Sequence, residues 1–324
     1  MDKPKRILVI QLKRAGDVIV TTPVLPALRE ALPGVEIDFL IDKPFAPLLG
    51  NNPDIRRVQI YNRKAPWLTW RDMRAASYDW ILDFQSSPRS ILAGVFSGAR
   101  LRAGFRVSFW GHFFNQSVKR PGAAVSVTEG KMTLVRALLP RISAAGDRRV
   151  FLTKEERLWA AEQMGDRGGA KGAIGLVPTQ RRTSRRWPAQ SFAHLARLLV
   201  SSGRPVWLFW GPGEKDYVEA IAEQAPGSCL IPPASLRQMA ALLELCQAVV
   251  TNDNGPMHLA VAVGTPTVTL YGPTNPAAWN PGGSKHRVIQ ASGLGCLGCN
   301  MNECPFGHEC MAWITPEKVL EVLQ

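Results

Sequence analysis

The chain has 324 residues, 46% of them hydrophobic and 20% charged, with a formal net charge of +13. That composition excludes a disordered chain, and the length suits two domains rather than one core. No run approaches the roughly 20 apolar residues of a membrane-spanning helix, and the apolar stretch after Arg6 stops at Lys13, so the start reads as a buried strand rather than a secretory leader, with a cytoplasmic location expected.

In chain order, short apolar runs alternate with helical patterns. Strands are predicted at Arg6–Leu12, Val35–Ile41, Arg57–Ile60, Trp80–Phe84 and Arg100–Phe105, with helices over Val18–Leu32 and Arg89–Phe96. The polar stretch Asp147–Lys171 holds a predicted helix, Lys154–Met164, and reads as a hinge. A second series follows: strands at Gly172–Val177, Pro205–Trp210, Ala248–Asn252 and Thr267–Tyr271, with helices over Ala189–Ser201, Glu214–Gln224 and Ser235–Leu245. The alternation predicts an α/β chain of two Rossmann-like, doubly wound domains, 1–153 and 154–324, facing across a cleft. The last helix, Pro316–Leu323, has no place in the second series and is open to packing back on the first domain.

Charge is unevenly shared. Residues 1–150 carry 24 Lys and Arg against 12 Asp and Glu, an excess of 12, whereas residues 151–324 carry 15 against 14. An excess confined to one half points to an anionic partner for that half: nucleic acid, a phosphorylated glycolipid or an anionic bilayer. No nucleic-acid-binding motif is visible, and nucleic acid is not expected as a partner.

Four segments could carry chemistry. Lys13-Arg14-Ala15-Gly16-Asp17 follows the first strand, where Gly16 permits a tight turn and Asp17 falls near a helix start; the residues alone favour an N-cap for Asp17. Neither a GxGxxG dinucleotide fingerprint nor a GxxxxGK[ST] phosphate loop is present, which disfavours a dehydrogenase or a phosphate-loop NTPase. The loop from Pro178 to Pro188 packs Thr179, Gln180 and four arginines, among them Arg181 and Arg185, between a strand and a helix, as phosphate oxygens require; a solvated basic loop fits the same spacing. Asn252 to His258 offers Asn254 as an N-cap, Gly255 and Pro256 in the first turn, and Asp253 and His258 within reach of one ligand. Finally, Cys296, Cys299, Cys304 and Cys310 lie within fifteen residues, two of them as CxxC, and the set admits a structural zinc with no open catalytic position.

Together these segments resemble glycosyltransferase family 9, the bacterial ADP-heptose:lipopolysaccharide heptosyltransferases. The resemblance rests on RILVIQLKRAGDVIVTTPVLPALRE, SRRWPAQSFAHLARLL, TNDNGPMHLAVAVGTPTVTLYGPTNP and the CxxC-bearing tail ending in Met311-Ala-Trp-Ile-Thr315. It implies a GT-B fold and metal-independent, inverting transfer of heptose from ADP-heptose, with no catalytic cofactor. The acceptor implied is the lipopolysaccharide inner core, met at the inner face of the cytoplasmic membrane. By the same resemblance Asp17 is the general base, displacing the N-cap reading. Arg185 occupies a position that is usually lysine and faces the leaving diphosphate. Gly16, Thr179, Gln180, Arg181, Asp253, Asn254, Gly255 and His258 bind the donor, and Glu214 holds its ribose. Other readings stay open: a member using another nucleotide sugar, or a non-catalytic basic protein on an anionic membrane or nucleic acid. Two aromatic and basic stretches, Arg63–Arg71 and Arg106–Phe114, are candidate interfacial anchors, with core packing the competing account of their rings.

Overall fold

The computed structural model describes residues 3–122, 124–165 and 172–323. The chain separates into two compact units, Met1–Phe151 and Leu152–Gln324. In the first, strands β1 (Arg6–Ile10), β2 (Glu36–Ile41), β3 (Arg57–Ile60), β4 (Trp80–Asp83), β5 (Leu101–Phe105) and β6 (Gln116–Val118) form a parallel sheet in the order β3-β2-β1-β4-β5-β6. In the second, β7 (Ile174–Val177), β8 (Val206–Leu208), β9 (Ser228–Leu230), β10 (Ala248–Asn252), β11 (Thr267–Tyr271) and β12 (His286–Gln290) run β12-β11-β10-β7-β8-β9, again all parallel. Each sheet grows outward from its first strand in one direction and then in the other. The strand order therefore reverses between β1 and β4, and between β7 and β10, and ligands of open parallel sheets bind beyond the strand ends at such reversals.

Helices α1 (Ala15–Ile19), α2 (Val24–Ala31), α3 (Pro66–Ala76), α4 (Pro88–Phe96) and α5 (Val127–Arg136) accompany the first sheet. With the second come α6 (Lys154–Gly165), α7 (Ala189–Ser201), α8 (Lys215–Glu223), α9 (Leu236–Glu244), α10 (Gly255–Ala262), α11 (Pro276–Trp279), α12 (Glu309–Ala312) and α13 (Pro316–Leu323). The central strands β1, β4, β7, β10 and β11 are almost wholly buried, as strands covered on both faces must be.

Three expectations need correction. The single helix predicted over Val18–Leu32 is two, because Pro23 has no N–H to continue the ladder, and Thr21 and Thr22 turn their hydroxyls back onto the carbonyls of Asp17 and Ile19 at 2.7 and 2.8 Å. The unit boundary lies two residues before the one expected at 153. Residues 146 and 149 bond back to Pro23 and Thr22, whereas Leu152 and Thr153 bond forward to Arg157 and Glu156. Helix α6 then docks on α9 through Arg237–Glu156 (2.6 Å) and Arg157–Glu244 (2.7 Å); the last six residues of the expected hinge, 166–171, lie outside the described ones. Helix α13, which had no place in the expected second series, packs on α7 and β11, with Val319 fully buried in the second core.

Candidate active site

In the first unit, the turn after β1 carries Asp17 as the third residue of α1. The N-cap position belongs to Arg14, whose side chain makes no capping bond, so the N-cap reading of Asp17 does not hold. Asp17 is half-buried beside half-buried Gly16, and among the described residues no donor bonds its carboxylate. Beneath it, across the reversal between β1 and β4, a polar knot closes. Gln11 Nε2 donates to the carbonyl of Lys13 (2.7 Å) and to Gln85 Oε1 (2.9 Å), and buried Lys131 of α5 donates to Gln11 Oε1 (2.8 Å).

In the second unit, the ends of neighbouring β10, β7 and β8 bring three loops together. The β10 end holds the structure of the loop after β7. Asn252, fully buried, accepts the Trp187 N–H at 2.9 Å and donates to the Pro178 carbonyl at 3.1 Å. Asn254 caps α10 by accepting from Met257 N–H (2.9 Å), as expected, and donates to the Thr179 carbonyl (2.9 Å). Gly255 opens α10, Pro256 brings no N–H, and among the described residues no acceptor meets the Gly255 N–H. Gln180 donates to the Asp253 carbonyl. Thr179 and Gln180 are buried, so they stitch the loops more than they face solvent, whereas Arg181 is exposed.

Arg185 sits in a short 3-10 turn, Thr183–Arg185, not at a helix N-terminus. Its Nη1 meets Asp253 Oδ2 at 3.0 Å and its Nη2 donates to Asn300 Oδ1 at 2.6 Å. Burial raises the Asp253 carboxyl above its ordinary range, and the Arg185 guanidinium partly opposes that. His258 is 3% exposed, its ring 5.8 Å from that of Trp279. Glu214, expected within the helix it precedes, is the N-cap residue of α8; its Oε2 accepts the Gly211 N–H at 3.0 Å. The indole of Trp187, fully buried, donates to the Ile314 carbonyl (2.9 Å) and anchors the arginine loop from below.

Among the described residues no group of three or more His, Cys, Asp or Glu side chains is arranged to hold a metal ion. Cys310 is drawn into the second core with Met311, while Cys299 is exposed. Burial and the neighbouring thiols of Cys304, Cys296 and Cys299 push Cys310 up to about 11. The segment also braces the arginine loop. Asn300 bonds Arg185, Ser184 donates to the Met301 carbonyl (2.9 Å), and the His308 ring bonds the Ser184 carbonyl. Sequence reading missed Asn300, His308 and Asn252 in this assembly. A fully buried Asn closing an apolar strand was the one readable signal.

The model of glycosyltransferase family 9 (heptosyltransferase) matches residues 67–309. The chain belongs to that family. It is therefore a glycosyltransferase, and a purely binding role for its basic half is set aside. Lipopolysaccharide heptosyltransferase 1 of Pseudomonas aeruginosa is 27% identical over 93% of this chain and 88% of its own length. Lipooligosaccharide heptosyltransferase 2 of Haemophilus influenzae is 25% identical, with 98% of both chains covered. Among solved structures, the E. coli ADP-heptose lps heptosyltransferase II superposes with a TM-score of 0.83 at 25% identity, covering 98% of this chain and 97% of that one. The glycosyl transferase family 9 structure from Veillonella parvula gives 0.86 at 24%, covering 99% and 97%. The fold is thus GT-B, as the resemblance implied.

Proposed function

We propose that this glycosyltransferase moves heptose from ADP-heptose to the inner core of lipopolysaccharide, with inversion and without a catalytic metal. The observation that carries the reading is the match to heptosyltransferases along almost the whole of both chains. In this reading the acceptor hydroxyl oxygen attacks the anomeric carbon and gives its proton to the Asp17 carboxylate. The bond from that carbon to the diphosphate oxygen breaks, and its electron pair leaves with ADP. Charge then grows on the diphosphate, where Arg181, Arg185 and the Gly255 N–H supply fixed positive groups and a dipole. Thr179, Gln180 and Asn254 hold the loops that present those groups, Asp253 orients Arg185, His258 faces the sugar, and Glu214 keeps one carboxylate oxygen for the ribose hydroxyls.

A phosphorylated glycolipid at the inner face of the cytoplasmic membrane accounts for the excess of 12 positive charges in residues 1–150. The two aromatic stretches divide. Trp67 (61% exposed) and Phe109 (68%) are free to enter an interface, whereas Trp70 stacks on Phe96 at 4.2 Å and Phe114 is buried. Among the described residues no helix is long and apolar enough to cross a membrane.

The test is nucleotide release from ADP-heptose and from hexose nucleotides, with truncated lipopolysaccharide, in chelator and in Mg²⁺. ADP release only with ADP-heptose plus acceptor, unchanged by chelator, is expected. UDP release from a UDP-hexose would move the assignment to another sugar, and strict Mg²⁺ dependence would remove the role given to the cationic loop.

A further inference from the structure

Lys131 is out of keeping with its position. It lies on the inner face of α5, 4% exposed, among Met132, Leu134 and Val135, where an apolar side chain would avoid the cost of desolvating an ammonium. A lysine in such a place is held by what it touches. Its Nζ donates to Gln11 Oε1 at 2.8 Å and stands 5.3 Å from the centroid of the buried Phe84 ring. Through the Gln11 amide it is linked to the Lys13 carbonyl, and Gln85, which bonds Gln11, also accepts the Lys13 N–H at 3.3 Å. Both polar groups of Lys13, at the root of the turn that delivers Asp17, are therefore fixed by a knot whose far end is Lys131.

The charged groups facing Lys131 come from three other elements. They are Asp17 on α1, with the strongest coupling, Arg120 after β6, and Asp83 at the end of β4. Arg120 is spread over the Phe105 ring at 4.3 Å. Asp83 uses Oδ1 for the N–H groups of Gln85 (3.0 Å) and Ser86 (2.8 Å), and burial pushes its carboxyl up to about 7, so near neutrality its negative charge is only partly present.

We propose that Lys131 is a positioning residue for transfer, fixing through Gln11 the turn that carries Asp17. This rests on the reading of Asp17 as the base. Burial lowers Lys131 to about 8, so the ammonium is the form present at neutral pH.

The experiment is kcat and donor KM at pH 7.5 for the full chain and for Lys131→Met, Lys131→Gln and Asp17→Asn. Lys131→Met should lower kcat about tenfold with the donor KM within twofold, since the turn carrying Asp17 loses its fixed position while the donor loops are untouched. Lys131→Gln keeps a donor toward Gln11 and should recover most of that loss. Thermal unfolding of Lys131→Met at pH 7 should occur no lower than that of the wild type, since a buried charge is removed. Wild-type kcat in Lys131→Met, or an equal loss in Lys131→Gln, with Asp17→Asn inactive, overturns the inference and leaves the base reading standing. Full turnover in Asp17→Asn overturns the base reading itself, and this inference with it.

Discussion

Replacing Arg185 with methionine should expose how the second unit pays, in stability, for its cationic loop. The Arg185 and Asp253 side chains are 16% and 6% exposed and meet at 3.0 Å. Removing one partner of so enclosed a pair costs about 3–5 kcal/mol, because the other charge is left buried. The cost must depend on pH. Asp253 already lies above its ordinary value because it is buried, and an acid raised by folding binds its proton more tightly in the folded state. Its share of stability is full below the unfolded value, about 3.9, and is lost as pH rises through the folded value. Without Arg185 the folded value climbs further. The deficit of Arg185→Met should thus be smaller near pH 5 than at pH 8, because protonation relieves the carboxylate left without its partner. Urea unfolding followed by tryptophan emission suits the measurement, since Trp187 is fully buried beside this loop. Asp253→Asn added to Arg185→Met should restore at least half of the loss at pH 8. A deficit below about 1 kcal/mol that is equal at both pH values, or strictly additive single effects, would refute the reasoning.

Asp17→Asn keeps the shape of the turn and removes the proton acceptor, so kcat should fall by about 10²–10⁴ with donor affinity little changed, measured by single-turnover kinetics and by titration with ADP. Gly272→Ala should destabilise by about 1–3 kcal/mol in the same urea assay. An added Cβ there would lie 2.6 Å from the Met311 sulfur and 2.8 Å from that of Cys310, at the point where the tail docks. Because that tail carries Asn300, the variant should also lose donor affinity; unchanged affinity would separate the brace from the site.

Much of the fold was legible in the residues. Continuous apolar runs such as Arg6–Ile10 and Ala248–Asn252 are what central strands of a parallel sheet must be, and Pro, Asn and Gly mark the helix starts that follow them. Of the four edge strands only Arg57–Ile60 was legible. Gln116–Val118 and Ser228–Leu230 have three residues each and are half-exposed, and His286–Gln290 has one buried residue, so none carries a hydrophobic period to read. Of the site, the residue types were visible because phosphate and proton transfer demand arginine, amide donors and carboxylate wherever a strand ends.

Which of those residues meet was decided by the tertiary structure alone. Arg185 and Asp253 are 68 residues apart and Lys131 and Gln11 are 120 apart; no local pattern links them, and the first pair forms because the strand order reverses between β7 and β10 and sets their loops side by side, the second because α5 packs on the first sheet. The cysteine segment shows the same limit, since nothing in its spacing says that packing draws Cys310 into the core and turns Asn300 toward the arginine loop. Chemistry was written in residue types along the chain. Their partners were set by the topology of the sheets, because burial makes long-range pairs obligatory and sequence distance does not record them.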